Sequence, residues 1–140
     1  MPAASLTRRV RFAAAHRYSR PEWSDARNAE VFGACANPSY HGHSYVCDVT
    51  VRGEIAADTG FIVDLGLLDG VLAREISGRF DHRNINVDIP EFADGKLVPT
   101  GENLARFIHE RVQAALGRSA TVVRVRVAED DTLSASYPAE

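Results

Sequence analysis

The sequence is 140 residues long, 45% apolar and 25% charged, with 16 basic and 19 acidic residues. That is one ordinary domain, spanning 1–140, of average soluble composition and long enough to bury a core without disulfides or a structural metal. A formal charge of −3 argues against an electrostatic grip on nucleic acid, and so small a domain leaves little room for a deep private pocket, so an active site shared between copies is expected.

The opening segment Met1–Arg9 lacks the apolar run of a signal peptide. No stretch approaches the roughly 18 apolar residues of a membrane span. Two cysteines, Cys35 and Cys47, suit a reducing compartment. A cytoplasmic protein with no membrane partner is the expectation. Leu6 to His16 alternates as a strand, with Val10, Phe12, Ala14 and His16 on one face and Arg9, Arg11, Ala13 and Ala15 on the other. Residues 18–40 carry no convincing period beyond a short helix around Asp25–Phe32. So long an irregular stretch is expected in a compact domain only where it is functional. His43 to Glu54 is a second strand, with Tyr45, Cys47, Val49 and Val51 facing one way. Ala56–Gly60 is a turn.

Asp64 caps a helix running to about Arg79, with Leu65, Leu68, Leu72 and Ile76 near helical spacing. Gly66 and Gly70 weaken it by about 1 kcal/mol each. Residues 80–99 read as irregular. Thr100 caps a second helix, Glu102 sits in its dipole-favoured first turn, and Gly117 stops it. Leu104, Ile108, Val112 and Ala115 form its apolar stripe. Thr121–Glu129 and Leu133–Tyr137 are the third and fourth strands. The order β-β-α-α-β-β predicts an α+β fold: an antiparallel four-stranded sheet with two helices on one face.

The chemistry concentrates at strand ends. His41 and His43 are two apart, so in an extended chain they point the same way, with the parity of Tyr45 and Cys47. His16 ends the first strand on its apolar parity. If the two strands pair antiparallel, all three imidazoles converge at one sheet edge. Singly, each reads as a satisfied strand-end histidine; together they match a catalytic zinc site with its fourth position free. Cys35, in the irregular segment, has two readings: a base or nucleophile with a lowered pKa, or a small buried hydrophobe. Asp81-His82 is either a carboxylate-held acid–base unit or a turn cap beside a surface histidine. Glu129 either turns into solvent or receives N–H donors from a flat heterocycle with a guanidine-like edge. His109 reads as surface; Arg17, Arg20, Arg27 and Arg83 read as surface charge or as contacts for an anionic substrate.

Six segments together resemble the 6-pyruvoyltetrahydropterin synthase family, which includes the 6-carboxytetrahydropterin synthases of queuosine biosynthesis. They are Phe12–Arg17, Cys35 with His41-Gly42-His43, Gly60–Asp64, Asp81–Asn84, Pro99–Asn103 and Val127–Glu129. The resemblance implies the tunnelling fold, in which subunits join as trimers into a barrel and two trimers stack into a hexamer. It implies that His16, His41 and His43 bind zinc (Zn2+). It implies that Cys35, Asp81 and His82 transfer protons, the Asp-His pair coming from a neighbouring subunit. It implies that Glu129 anchors a pterin ring, with Thr100 and Glu102 beside it. The implied substrate is 7,8-dihydroneopterin triphosphate, the implied product 6-pyruvoyltetrahydropterin, and the implied zinc role that of a Lewis acid on the side-chain hydroxyls. The Cys35-to-His41 spacing and Val87–Asp94 resemble the animal-type pyruvoyl enzymes. Gly101 departs from that pattern, where a second threonine is usual, and Asp64 is the bacterial-like choice. The 6-carboxy product is therefore the alternative; a non-catalytic pterin-binding protein on the same fold is a third reading.

Overall fold

The computed structural model describes residues 1–140. Strand β1 (Ala3–His16) and strand β2 (His41–Glu54) form one long antiparallel ladder, from Ala3 opposite Glu54 to His16 opposite His41. The alternation read from the sequence sets its faces: Phe12, Ala14 and His16 are buried on β1, and Tyr45, Cys47, Val49 and Val51 on β2. Pairing to the last residue places His16 beside His41, with His43 one step further along the same face.

The sheet has five strands in the order β3-β1-β2-β4-β5, correcting the expectation of four. Strand β4 is Thr121–Ala128 and β5 is Ser134–Tyr137. The extra strand, β3 (Arg83–Asn84), runs parallel to β1 at Ala14 and Ala15. Two residues carry no period, so no alternation could announce it. It matters because it fixes Asp81-His82 against the end of β1.

Five helices are present, where the sequence predicts two long ones and a short one around Asp25–Phe32. Helix α1 (Asp25–Phe32) fills part of the segment between β1 and β2, capped by Ser24 Oγ, which accepts from the Arg27 N–H at 3.1 Å. Helix α2 (Leu65–Leu72) starts at the expected cap, where Asp64 accepts from the Leu67 N–H at 3.2 Å. It passes through a wide π turn at Ala73–Ser77 into α3 (Gly78–Phe80). That turn explains Gly78: a Cβ there would lie 2.9 Å from the Ala73 carbonyl oxygen. A short α4 (Ile85–Asp88) and a 3-10 turn at Pro90–Phe92 occupy the stretch read as irregular. Helix α5 (Gly101–Leu116) is capped by Thr100 and closed by Gly117 in a positive-φ conformation, φ 56°. Leu104, Ile108 and Val112 are fully buried on its stripe, each contributing about 1.5–3 kcal/mol by leaving water.

Aromatic packing ties the core to the sheet edge. Phe80 stacks on Phe12 at 5.3 Å and Phe12 on Tyr45 at 4.8 Å. The Tyr45 hydroxyl then touches His16 Nδ1 at 3.0 Å. The core therefore runs directly into the histidine cluster.

Candidate active site

His16, His41 and His43 offer ligand nitrogens that lie within 4.8 Å of one another. Their rings sit edge to face at 4.6 to 5.1 Å. His16 is fully buried, and its Nδ1 lies 2.9 Å from the Pro99 carbonyl oxygen. A carbonyl only accepts, so Nδ1 carries the proton and Nε2 keeps its lone pair free, the form a metal ligand needs. His43 Nε2 is buried with no hydrogen-bond partner in the chain. Three imidazoles, one of them with an orphaned inward nitrogen, fit a divalent metal such as zinc.

Burial pulls the His16 pKa down to about 4, and His41 and His43 add to the shift by repelling a proton there. His41 is lowered too, by burial first. The folded chain thus disfavours a proton that the unfolded chain takes up near pH 6.5. Stability from His16 is present above that value and is lost as pH falls from about 6.5 to 4, by up to ~3 kcal/mol. The urea midpoint of chelator-treated protein is expected to drop across this window. A midpoint flat from pH 7 to pH 4.5 would contradict the buried neutral imidazole.

Glu129 stands beside the cluster, with Oε1 at 4.0 Å from His16 Nε2 and Oε2 at 3.8 Å from His43 Nε2. It does not turn into solvent: its side chain is only 11% exposed. Tyr18 donates its hydroxyl to Glu129 Oε1 at 2.8 Å. Together with Thr100 and Glu102, these two residues line a cavity of about 480 Å³ between α5 and β4–β5. Gly101 lines it as well, and a Cβ there would come within 3.3 Å of the Ala135 Cβ. The glycine is the price of packing α5 tightly against β5.

Two buried asparagines hold the approach. Asn86 accepts from the Arg17 N–H at 2.8 Å and donates to its carbonyl at 3.0 Å, copying a strand partner beyond the end of β1. Asn28 does the same for Arg20, at 2.8 and 3.0 Å. The Tyr18 N–H then donates to the Cys35 carbonyl at 2.8 Å, which fastens the cysteine segment to the cluster. Cys35 is half-buried. Burial and the negative charge of Glu129 push its thiol above the ordinary value. The protein groups alone therefore do not make the thiolate expected of a reactive cysteine; a cation on the imidazoles acts in the opposite sense. Cys47 is buried in the core, its thiol pushed up to about 12.

Asp81 and His82 form a pair, with Asp81 Oδ2 at 3.0 Å from His82 Nδ1. The Ala13 N–H donates to Asp81 Oδ1 at 2.9 Å, and this bond, with His82, holds the carboxyl below its usual range. His82 takes a left-handed backbone, φ 60°, and its side chain is 84% exposed. It lines an open groove at the β1–β2 edge with Ala13, Ala15, Gly42 and Ser44 of one parity and Ala14 and His43 of the other. Neither Asp81 nor His82 joins the group of three imidazoles or lines the cavity beside Glu129.

His109 is not the free surface residue expected. Its Nε2 lies 3.1 Å from the Val122 carbonyl oxygen, and its ring packs edge-on against Tyr137 at 5.2 Å. Arg20 pairs with Glu22, and Arg27 lies over the Trp23 ring at 4.3 Å. Tyr18, Asn28, Asn86 and the Pro99 carbonyl were missed from sequence. Only Tyr18 carried a signal, since it continues the parity of His16.

An α+β sheet edge with three convergent imidazoles and a carboxylate-walled cavity defines a small-molecule site built around a metal-competent cluster. The family model described as 6-pyruvoyl tetrahydropterin synthase matches residues 5–140. A 6-pyruvoyl tetrahydrobiopterin synthase of Homo sapiens is 38% identical over 137 residues, covering 98% of this chain and 92% of its own. A 6-carboxy-5,6,7,8-tetrahydropterin synthase of Bacillus subtilis is 35% identical over 113 residues, 77% of this chain and 73% of its own. The solved structure of Caenorhabditis elegans 6-pyruvoyl tetrahydropterin synthase superposes with a TM-score of 0.91 at 33% identity, covering 98% and 96% of the two chains. The chain belongs to the 6-pyruvoyl tetrahydropterin synthase family.

Proposed function

We propose that this chain, as one domain over 1–140, is a zinc-dependent lyase that converts 7,8-dihydroneopterin triphosphate to 6-pyruvoyltetrahydropterin and releases triphosphate. The observation that carries the reading is the cluster of His16, His41 and His43 beside Glu129, a carboxylate that also lines a cavity, in a chain that matches the family along its length. His16, His41 and His43 would hold the zinc, which when bound supplies Lewis-acid polarisation of the substrate's side-chain hydroxyls. Glu129 accepts the N–H donors of the pterin's guanidine-like edge, a pairing that suits a little-exposed carboxylate. Thr100 and Glu102 line the same cavity and border the ring. Cys35 removes the side-chain proton from its tethered segment. No external redox cofactor is needed, because the side-chain carbons are oxidised as the ring is reduced.

The second proton transfer falls to His82, held by Asp81. The His82 side chain is 84% exposed and neither residue lines the Glu129 cavity, which supports a site completed by a second copy. On this reading subunits assemble as trimeric barrels and a homohexamer, with active sites at the interfaces. No helix is long and apolar enough to cross a membrane; we place the enzyme in the cytoplasm.

Incubating zinc-loaded protein with 7,8-dihydroneopterin triphosphate is expected to release triphosphate and give the 6-pyruvoyl product by mass. Absence of triphosphate release would overturn the reading. A 6-carboxy product would instead place this chain with the activity named for the Bacillus subtilis relative. A non-catalytic binder predicts that Cys35→Ala changes nothing measurable.

A further inference from the structure

Glu129 has two places to go. Its carboxylate stands 3.8 and 4.0 Å from the inward nitrogens of His43 and His16, and it also walls the cavity. A small rotation toward the imidazoles would make it a fourth ligand on any metal held there. It would then be lost as an acceptor for a ring in the cavity. What holds it is one bond. Tyr18 Oη donates to Glu129 Oε1 at 2.8 Å, and no other group in the chain hydrogen-bonds this carboxylate.

The geometry points to Tyr18 as a positioning residue: its hydroxyl holds the Glu129 carboxylate off the histidine cluster and presents Oε2 to the heterocycle. The inference rests on the reading of Glu129 as the ring's anchor.

Tyr18 is itself fixed on every side. Asn86 clamps the preceding residue, Arg17, on both backbone groups. The Tyr18 N–H donates to the Cys35 carbonyl. Its ring meets His16 edge-on at 5.0 Å and Phe32 at 5.9 Å. A donor held so rigidly orients its acceptor at little further cost in conformational freedom. Tyr18 thus links the metal cluster, the cysteine segment and the ring anchor.

The test is a double-mutant cycle on binding of unsubstituted pterin, a fluorescent ring that cannot react, to the zinc-loaded protein. Tyr18→Phe keeps the ring packing and removes only the hydroxyl. It is expected to weaken pterin about tenfold, the scale of one hydrogen bond to a charged group. It should raise KM for the triphosphate substrate more than it lowers kcat, with zinc content unchanged. In a Glu129→Ala background the same substitution should have less than about twofold further effect, because its acceptor has gone. If Tyr18→Phe leaves affinity unchanged while Glu129→Ala weakens it, the Tyr18 inference falls and the anchor stands. Equal losses in both backgrounds also overturn it, since Tyr18 would then act by another route. If Glu129→Ala itself leaves pterin binding unchanged, the anchor reading fails, and this inference fails with it.

Discussion

His43→Ala is expected to purify folded, with no bound metal and with product formation lowered on the order of a thousandfold. The site explains both halves of that expectation. His43 is less structural than the fully buried His16: its side chain is 20% exposed, and its Nε2 has no partner inside the chain. Removing it costs little packing and no protein hydrogen bond. It leaves two imidazoles, which hold a divalent ion far less well than three. His16→Ala should lose the metal as well, but it also opens a hole against Tyr45 and the Pro99 carbonyl, so its fold suffers. His109→Ala is the control. It gives up a contact to the Val122 carbonyl, worth about 1 kcal/mol, and keeps full zinc and activity. Elemental analysis of metal per chain decides the matter; stoichiometric zinc in His43→Ala would remove that residue from the ligand set.

The second large effect concerns the divided site. Cys35→Ala and His82→Ala are each expected to be inactive alone. Mixed after dissociation and reassembled together, they should regain about a quarter of the normal activity, the share of interfaces that randomly pair an intact cysteine with an intact histidine in a symmetric assembly. On the proposed reading the two groups would meet a substrate from different copies: the His82 side chain is 84% exposed and lines no part of the Glu129 cavity, whereas Cys35 is half-buried and fastened through its carbonyl to the Tyr18 N–H. Failure to recover activity in mixtures that have verifiably reassembled would rule out a site divided in this way.

Much of this arrangement is legible in residue order because period two is a strong signal. The parity of Val10, Phe12, Ala14 and His16, matched to that of His43, Tyr45 and Cys47, brings three imidazoles together once the strands pair. The caps at Asp64 and Thr100 and the stop at Gly117 follow from local chemistry and are found where expected. What escapes is what has no period. Arg83–Asn84 is too short to alternate, and the π turn at Ala73–Ser77 leaves the apolar stripe of its helix intact. Asn86 serves the backbone of Arg17 far away in sequence, and Asn28 that of Arg20 within one irregular segment, and neither pairing follows from a period. His109 was misread because its partner is a carbonyl on a neighbouring strand. Tyr18 is the instructive miss: two residues beyond His16 and on its parity, it belonged to the same face.

The ladder of β1 and β2 runs unbroken through 14 residue pairs and ends on the imidazoles. Slipping it by a single residue would turn His16 to the opposite face and move it away from His41. The same slip would turn Phe12 and Ala14 out of the core with it, so one register both buries the apolar face and gathers the imidazoles. Correct pairing of the first two strands is therefore a precondition of the cluster, and any metal held there would report on it.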